Sequence, residues 1–449
     1  MVDMFVGRES ELQFLNEYYE REGSQILVVY GHRGVGKTSL IDFFSKDKKS
    51  VYYLARSCSA REQCCQWANE LKDQGEVFNA FPDYQAVFQC LTAPAGTGKQ
   101  VITIDEFHYF VKSDPGFMEE LIRYVEDRGT DRPVMVILST SASSWVENTM
   151  VSKIGSNALA ISGLLKVREM KFQEIRRIFT GYSLTDSISI YAVLGGMPGL
   201  WRGFEQRLSA KENIIRHMLK KESRLHEELS TYMWAELREP AVYNTLLAAM
   251  AKGCNKLNDI YMHTGFSRAK ICVYLKNLME LDLVEKVFSF DTKGRTDVQK
   301  GFYRISNPYV HFYFRFLFPK QSRLQQMEAE AFYASEIKDE FPRFVEDGYR
   351  KICRDRYDQG FASVGEWLGK IGSIDIVACD EDGAVTVAAC SYARKMTMED
   401  YGRLTACLKK AKIKAKNIHF YCEKGFDKAL QNKADKGEIL LYSISKDIN

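Results

Sequence analysis

The stretch that decides the fold runs from Gln25 to Ser39 and reads QILVVYGHRGVGKTS. Its first six residues predict a buried strand, and a helix is predicted to begin near Lys37. The turn between them, Gly31 to Thr38, matches the pattern G-x-x-x-x-G-K-[ST], whose backbone N–H groups cradle phosphates at a helix N-terminus. We therefore predict that a nucleotide is bound by Gly31, His32, Arg33, Gly34, Val35, Gly36, Lys37, Thr38 and Ser39.

A second apolar run, VITIDE (101–106), ends in two carboxylates. In open α/β sheets ligands bind at the carboxyl ends of the strands, so we expect these acids beside the glycine-rich turn. Asp105 and the Thr38 hydroxyl are predicted to bind Mg²⁺, while Lys37 contacts the β- and γ-phosphates of ATP. Glu106 is predicted to polarise the attacking water, so Glu106 and Lys37 are the catalytic candidates. Ser139, Thr140 and Ser141 end the next strand and are candidates for sensing the γ-phosphate.

Further strands are predicted at 50–55, 134–140 and 158–163, alternating with helices. Near-continuous apolar strands that alternate with helices indicate a parallel sheet covered on both faces. The chain has 449 residues and a net charge of +3, so any surface that binds nucleic acid must be local. The 11 cysteines form no CxxC pair, which excludes zinc-ribbon and thioredoxin-like sites and favours reduced thiols. We expect no membrane span, no signal peptide and a cytoplasmic protein.

The segments 5–12 (FVGRESEL), 105–110 (DEFHYF), 195–198 (GGMP) and 303–316 resemble signature motifs of the archaeal-type ATPases, a STAND-branch family of AAA-like P-loop NTPases. The resemblance implies an α/β P-loop core, a helical lid, a winged helix-turn-helix and a C-terminal α/β restriction-endonuclease-like domain. It also implies that Pro198, in the lid, contacts the nucleotide base. Members often carry arginines between the fourth and fifth strands, but residues 151–157 contain none. Arg128 and Arg132 are arginine-finger candidates by position only.

The predicted domains are a P-loop ATPase core (1–166), a lid (167–238), a winged helix (239–306), a linker (307–345) and the nuclease-like domain (346–449). In the winged helix, Ser267 is predicted to cap a third helix that presents Arg268, Lys270 and Tyr274, with Lys293 and Arg295 on the wing. Such a helix can enter the major groove of double-stranded DNA. It can equally serve protein packing, and both alternatives stay open here.

In the C-terminal domain, the strand IDIVAC (374–379) carries Asp375, which matches the first acid of restriction-endonuclease-like sites. The following strand places Ala389 where the resemblance expects glutamate and Ser391 where it expects lysine. Lys395 cannot be assumed to substitute for that lysine, although Glu346 and Glu366 could add a carboxylate. We therefore predict a catalytically degenerate domain that is available to dock a protein partner or the lid.

These features predict a Mg²⁺-dependent ATPase that acts as a molecular switch. Two alternatives remain: a DNA-binding regulator that uses ATP only as a conformational ligand, and a nuclease effector gated by ATP. An oligomer is compatible with the family resemblance, and the sequence identifies neither the trigger nor the pathway.

Overall fold

The computed structural model describes residues 7–72, 78–79, 81–91, 98–129, 131–220, 223, 225, 239–292 and 301–447. The chain divides into two compact units. The first unit contains the residues up to Met170 together with Met197–Gly199. The second contains Lys171–Gly196 and the chain from Leu200 onward, so the lid residues group with the C-terminal half.

The first unit is built on a parallel sheet of five strands in the order β2-β3-β4-β1-β5. The strands are β1 Gln25–Tyr30, β2 Ser50–Leu54, β3 Gln100–Asp105, β4 Val134–Thr140 and β5 Gly163–Lys166. Every residue of β3 and β4 is buried, which explains their continuous apolar sequences. The predicted fold class is therefore confirmed for this sheet.

Helices cover this sheet and end in short turns. They are Glu9–Glu20, Lys37–Ser45, Ala60–Lys72, Tyr84–Cys90, His108–Ser113, Phe117–Asp127, Ser143–Asn148 and Met150–Ile154. One strand boundary was predicted wrongly, because β5 begins only at Gly163 and residues Gly155–Ala160 form a 3₁₀ turn. Leu159 in that turn is 91% exposed. A short run of small apolar residues therefore did not mark a buried strand here.

The segment predicted as the lid contains the helices Phe172–Ile178, Leu184–Leu194 and Ala210–Ile214, all in the second unit. A further turn, Pro198–Trp201, begins in the first unit and ends in the second. In the helix Leu184–Leu194, every residue from Ser187 onward is buried. It packs against the helix Phe341–Arg354, where a Cβ atom added to Gly348 would lie 2.5 Å from Cβ of Ala192. The lid and the C-terminal domain thus share a close contact that requires glycine.

Helices Pro240–Ala251, Leu257–Thr264 and Arg268–Glu280 precede the antiparallel pair β6 Val284–Val287 and β7 Phe302–Ile305. This is the element order expected of a winged helix. Ser267 accepts a hydrogen bond from the Lys270 N–H and caps the third helix as predicted. The predicted wing residues Lys293 and Arg295 lie outside the described residues.

The helices Pro308–Phe312, Gln321–Gln326, Ala329–Glu336 and Phe341–Arg354 lead into a second sheet. Its order is β12-β11-β10-β9-β8, parallel among β10, β11 and β12 and antiparallel from β8 to β10. The strands are β8 Ser363–Leu368, β9 Ser373–Cys379, β10 Val385–Ser391, β11 Ala415–Cys422 and β12 Leu440–Tyr442, with helices Met398–Ala411, Lys428–Asp435 and Ile444–Asp447. Among the described helices, none combines the length and apolarity needed to cross a bilayer.

Candidate nucleotide site

The glycine-rich loop connects β1 to the helix Lys37–Ser45 with an unusual backbone. Gly34 and Gly36 have φ angles of +87° and +99°, a region that glycine enters without steric cost. Gly31 is fitted still more tightly, because a Cβ atom there would lie 2.1 Å from the Val167 carbonyl oxygen. These constraints shape the loop as a cradle in front of the helix N-terminus, as the phosphate-binding pattern predicts.

Lys37 lies at the start of that helix and is 7% exposed. Its Nζ donates to the carbonyl oxygens of Gly31 at 2.8 Å and His32 at 3.1 Å. Burial lowers the pKa of Lys37, while the carboxylates of Glu106 and Asp105 oppose that shift. The lysine therefore lies across the loop, with two acids near its ammonium group.

Asp105 ends β3 beside the loop and contacts three groups. Its Oδ2 accepts from the Thr38 hydroxyl at 3.3 Å and from the Tyr52 hydroxyl at 2.9 Å, and its Oδ1 accepts from the Glu106 N–H at 2.9 Å. The structure thus brings together Thr38 and Asp105, the two residues predicted to bind magnesium. Tyr52, on β2, was not predicted, because its role depends on the pairing of β2 with β3.

Glu106 has a φ angle of +52°, a left-handed conformation that is rare for a residue with a side chain. Its Oε2 accepts from the Ser141 N–H at 2.9 Å and from the Thr140 hydroxyl at 3.2 Å. Burial by itself would raise the pKa of Glu106, but hydrogen bonds from His108 and Ser141 outweigh it and lower the pKa to about 2. The Glu106 carboxylate is therefore ionised, and it is held by Thr140 and Ser141 at the end of β4.

Arg8 contacts the glycine-rich loop at Val35 and is 6% exposed. Its guanidinium donates to the carbonyl oxygens of Val35 at 2.9 Å and Arg168 at 2.6 Å, and it pairs with Glu11. The sequence motif around Arg8 predicted a family but no role for this residue. A buried arginine that satisfies two carbonyls fixes the loop to the segment after β5.

Residues 5–201 match the family described as an "ATPase domain predominantly from Archaea". This match covers most of the predicted P-loop core and extends into the predicted lid. Residues 313–403 match a second family, described as "Archaea bacterial proteins of unknown function". The recognition of an archaeal-type ATPase from sequence motifs is therefore confirmed.

Two relatives come from Methanocaldococcus jannaschii. The uncharacterized protein MJECL04 is 26% identical over 388 residues, which cover 84% of this chain and 85% of that protein. The uncharacterized ATP-binding protein MJ0423 is 44% identical over 46 residues, or 10% of this chain and 78% of that protein. Among solved structures, the Walker-type ATPase PABY2304 of Pyrococcus abyssi is similar with a TM-score of 0.50 and 15% identity, covering 69% of this chain and 96% of that one. This last likeness shows a shared fold.

The first unit also includes Met197–Gly199, which overlaps the segment 195–198 (GGMP). The Gly199 N–H donates to the Gly34 carbonyl oxygen at 3.2 Å. The Pro198 ring lies 4.0 Å from the position of a Cβ atom on Gly36. The structure thus brings Pro198 to the phosphate loop, as expected for a residue near the nucleotide.

Other predicted residues of the ATPase domain are not gathered at the site. Arg128 and Arg132 precede β4, at the end of the sheet opposite to the loop, and the Arg128 Nε donates to the Arg132 carbonyl oxygen at 3.3 Å. Neither arginine is therefore placed to reach the nucleotide of its own chain. Ser139 is fully buried, and its hydroxyl meets no partner within the described residues.

In the second unit, the exposed residues of the helix Arg268–Glu280 are Arg268, Ala269, Cys272, Val273, Lys276 and Glu280, and the Lys276 Nζ lies 3.8 Å from Oε1 of Glu280. The Arg268 guanidinium contacts Asn258 and the Tyr261 ring. Lys270 is half-buried above the rings of Phe266 and Tyr274, and Tyr274 itself bonds to Glu239. Of the three residues predicted to face DNA, only Arg268 lies on the open face.

Asp375 of β9 contacts Arg350, which lies on the helix Phe341–Arg354. The neighbouring strand β10 offers Ser391 at the position where the family resemblance expects a lysine. The Arg350 Nε lies 3.2 Å from Oδ1 of Asp375, and the Cys390 N–H donates to Oδ2 of Asp375 at 2.9 Å. Glu346 accepts from the N–H groups of Tyr392 and Ala393, and Glu366 pairs with Arg304. Burial raises the pKa of Asp375, and Arg350 opposes that shift. Each nearby carboxylate is thus already engaged, and the described residues contain no group of three potential metal ligands.

Proposed function

We propose that this chain is a Mg²⁺-dependent ATP hydrolase that works as a molecular switch. The observation that supports this proposal is the convergence of Lys37, Thr38, Asp105 and Glu106 at the carboxyl ends of β1, β3 and β4. A phosphate loop without the paired acids would fit nucleotide binding alone. An ionised Glu106 next to the loop favours hydrolysis.

The donor set beside the loop suits magnesium. Mg²⁺ is usually bound through one or two carboxylates together with substrate phosphates and water, and Thr38 and Asp105 offer a hydroxyl and a carboxylate 3.3 Å apart. When bound, the ion would neutralise charge on the β- and γ-phosphates. Thr38 and Asp105 would hold it, and Tyr52 would orient Asp105.

The chain's own groups would perform the remaining tasks. The ammonium group of Lys37, which now bonds to loop carbonyls, would turn to the γ-phosphate. Glu106 would orient the attacking water and take its proton. The Thr140 hydroxyl, which donates to Glu106, would hold that carboxylate in place, and Pro198 would pack near the base.

Paired substitutions test these roles. Lys37→Ala should abolish ATP binding in a calorimetric titration, whereas Glu106→Gln should keep binding and lose about 10²–10⁴-fold in hydrolysis rate. Chelation of magnesium should stop hydrolysis by the wild type. Glu119→Gln, an exposed carboxylate of the same unit, is the matched control and should be unaffected. Wild-type hydrolysis by Glu106→Gln would show that Glu106 does not act as the base.

The switch role is supported by the lid. Helix Leu184–Leu194 packs on the helix Phe341–Arg354 of the C-terminal domain, while Met197–Gly199 lies against the phosphate loop. A nucleotide-dependent movement of Met197–Gly199 would displace the helix Leu184–Leu194, which packs against the C-terminal domain. ATP state would then be read out by the C-terminal half.

DNA binding through the third helix of the winged-helix region is a second candidate function. The observation that favours it is the solvent-exposed helix face with Arg268 and Lys276. The apolar centre of that face, with Val273 57% exposed, equally suits a protein partner. A nuclease is disfavoured by the pairing of Asp375 with Arg350.

A further inference from the structure

His108 lies two residues after Glu106, and its ring is almost completely buried between Tyr109 and Trp145. Its Nδ1 lies 2.8 Å from the Thr140 hydroxyl and 3.3 Å from Oε2 of Glu106. On the opposite side of the ring, Nε2 is buried and meets no hydrogen-bonding group within the described residues. The imidazole therefore has one nitrogen directed to the hydrolytic site and one in apolar surroundings.

The hydrogen-bond pattern assigns the proton on this ring. A proton on Nε2 would create a buried N–H without an acceptor, which is rarer in proteins than an unsatisfied acceptor. We therefore assign the proton to Nδ1, which donates to the Thr140 oxygen. The Ala142 N–H donates to the same oxygen at 3.1 Å. With both acceptor positions of Thr140 occupied, its single hydroxyl proton is left for Oε2 of Glu106.

This chain of donors holds the Glu106 carboxylate in place. The Ser141 N–H, the Thr140 hydroxyl and the His108 ring all contact Oε2, and the Ser141 side chain also bonds to the carboxylate. The strained backbone of Glu106, with φ at +52°, further restricts where the carboxylate can lie.

We propose that His108 is a positioning residue for ATP hydrolysis, which holds the Glu106 carboxylate in place for the attacking water through the Thr140 hydroxyl. This inference rests on the proposed role of Glu106. It adds His108, which lies in the segment 105–110 that resembles a family signature but had no role assigned from the sequence.

Two variants of the full-length protein separate positioning from packing. His108→Phe keeps a ring between Tyr109 and Trp145 but removes the donor, whereas His108→Asn loses the ring but keeps an N–H close to the position of Nδ1. We expect kcat to fall about ten- to a hundredfold in His108→Phe, with KM for ATP unchanged, because a small misplacement of a catalytic group has effects of that size. His108→Asn should restore most of the rate.

A double-mutant cycle with Thr140→Val tests the path and does not depend on the Asn variant being folded. If His108 acts through Thr140, His108→Phe should cause little further loss of kcat in the Thr140→Val background. Wild-type kcat in His108→Phe, or full additivity in the cycle, would overturn the inference. Hydrolysis that persists in Glu106→Gln would instead overturn the proposed function, so the two failures are distinguishable.

Discussion

Gly31 shows at the scale of one residue how closely the phosphate loop fits the strand next to it. A Cβ atom at this position would lie 2.1 Å from the Val167 carbonyl oxygen, so Gly31→Ala must displace β1 or the end of β5. We expect a loss of about 1–3 kcal/mol in unfolding free energy together with weaker ATP binding. Gly402→Ala, on an exposed helix with open space around it, should instead stabilise by up to about 1 kcal/mol. Urea denaturation measures both, and equal stability of the two variants would contradict the tight fit.

Individual site residues could be predicted from sequence where the chemistry is local. Lys37 and Thr38 follow from a contiguous pattern, and Asp105 and Glu106 from the end of an apolar strand. Tyr52, Arg8 and His108 could not be found in this way. The contact between Tyr52 and Asp105 spans 53 positions and exists only because β2 pairs with β3 in one register. The sequence pattern alone does not determine the register in which β2 pairs with β3.

At the scale of elements, a DNA-binding role depends on the helix Arg268–Glu280. Arg268→Glu combined with Lys276→Glu should weaken duplex binding and reduce the log–log salt slope by about 0.9 for each phosphate that is no longer neutralised. Lys270→Glu alone should have a smaller effect, because Lys270 lies over the rings of Phe266 and Tyr274. Lys409→Glu with Lys410→Glu makes the same charge change on another exposed helix and serves as the control. Equally weakened binding in both double variants, measured by fluorescence anisotropy, would indicate a nonspecific effect of charge.

Strands were predictable where burial is complete and less so at sheet edges. The apolar runs of β1, β3 and β4 are covered on both faces and were found from sequence. Strand β8 was missed, because SVGEWL has neither a continuous apolar run nor a clean alternation. It lies at the edge of its sheet and is held partly by Arg304, which pairs with Glu366, and by Phe290, whose ring lies 3.1 Å from a Cβ position on Gly365. Edge strands depend on such distant partners.

For the whole molecule, the ability of the C-terminal α/β domain to cut nucleic acid decides between a switch and an effector. Purified protein should leave single- and double-stranded DNA and RNA intact in magnesium or manganese, with and without ATP. Cleavage of this kind usually needs carboxylates free to hold metal, and Asp375 is paired with Arg350 while Glu346 and Glu366 have other partners. Gel electrophoresis checks this expectation. Cleavage that disappears in Asp375→Ala would favour the effector.

The contact between Ala192 and Gly348 is where the lid could pass a signal to the C-terminal domain. Gly348→Val would push two methyl groups into Leu184–Leu194, since the added Cβ alone would lie 2.5 Å from Cβ of Ala192. We expect the variant to lose about 1–3 kcal/mol in unfolding free energy, while ATP binding by the phosphate loop is retained. In the wild type, ATP should change hydrogen exchange in the helix Phe341–Arg354, and in Gly348→Val that response should be reduced. If ATP leaves exchange in this helix unchanged in the wild type, the C-terminal domain does not read the nucleotide state through the lid.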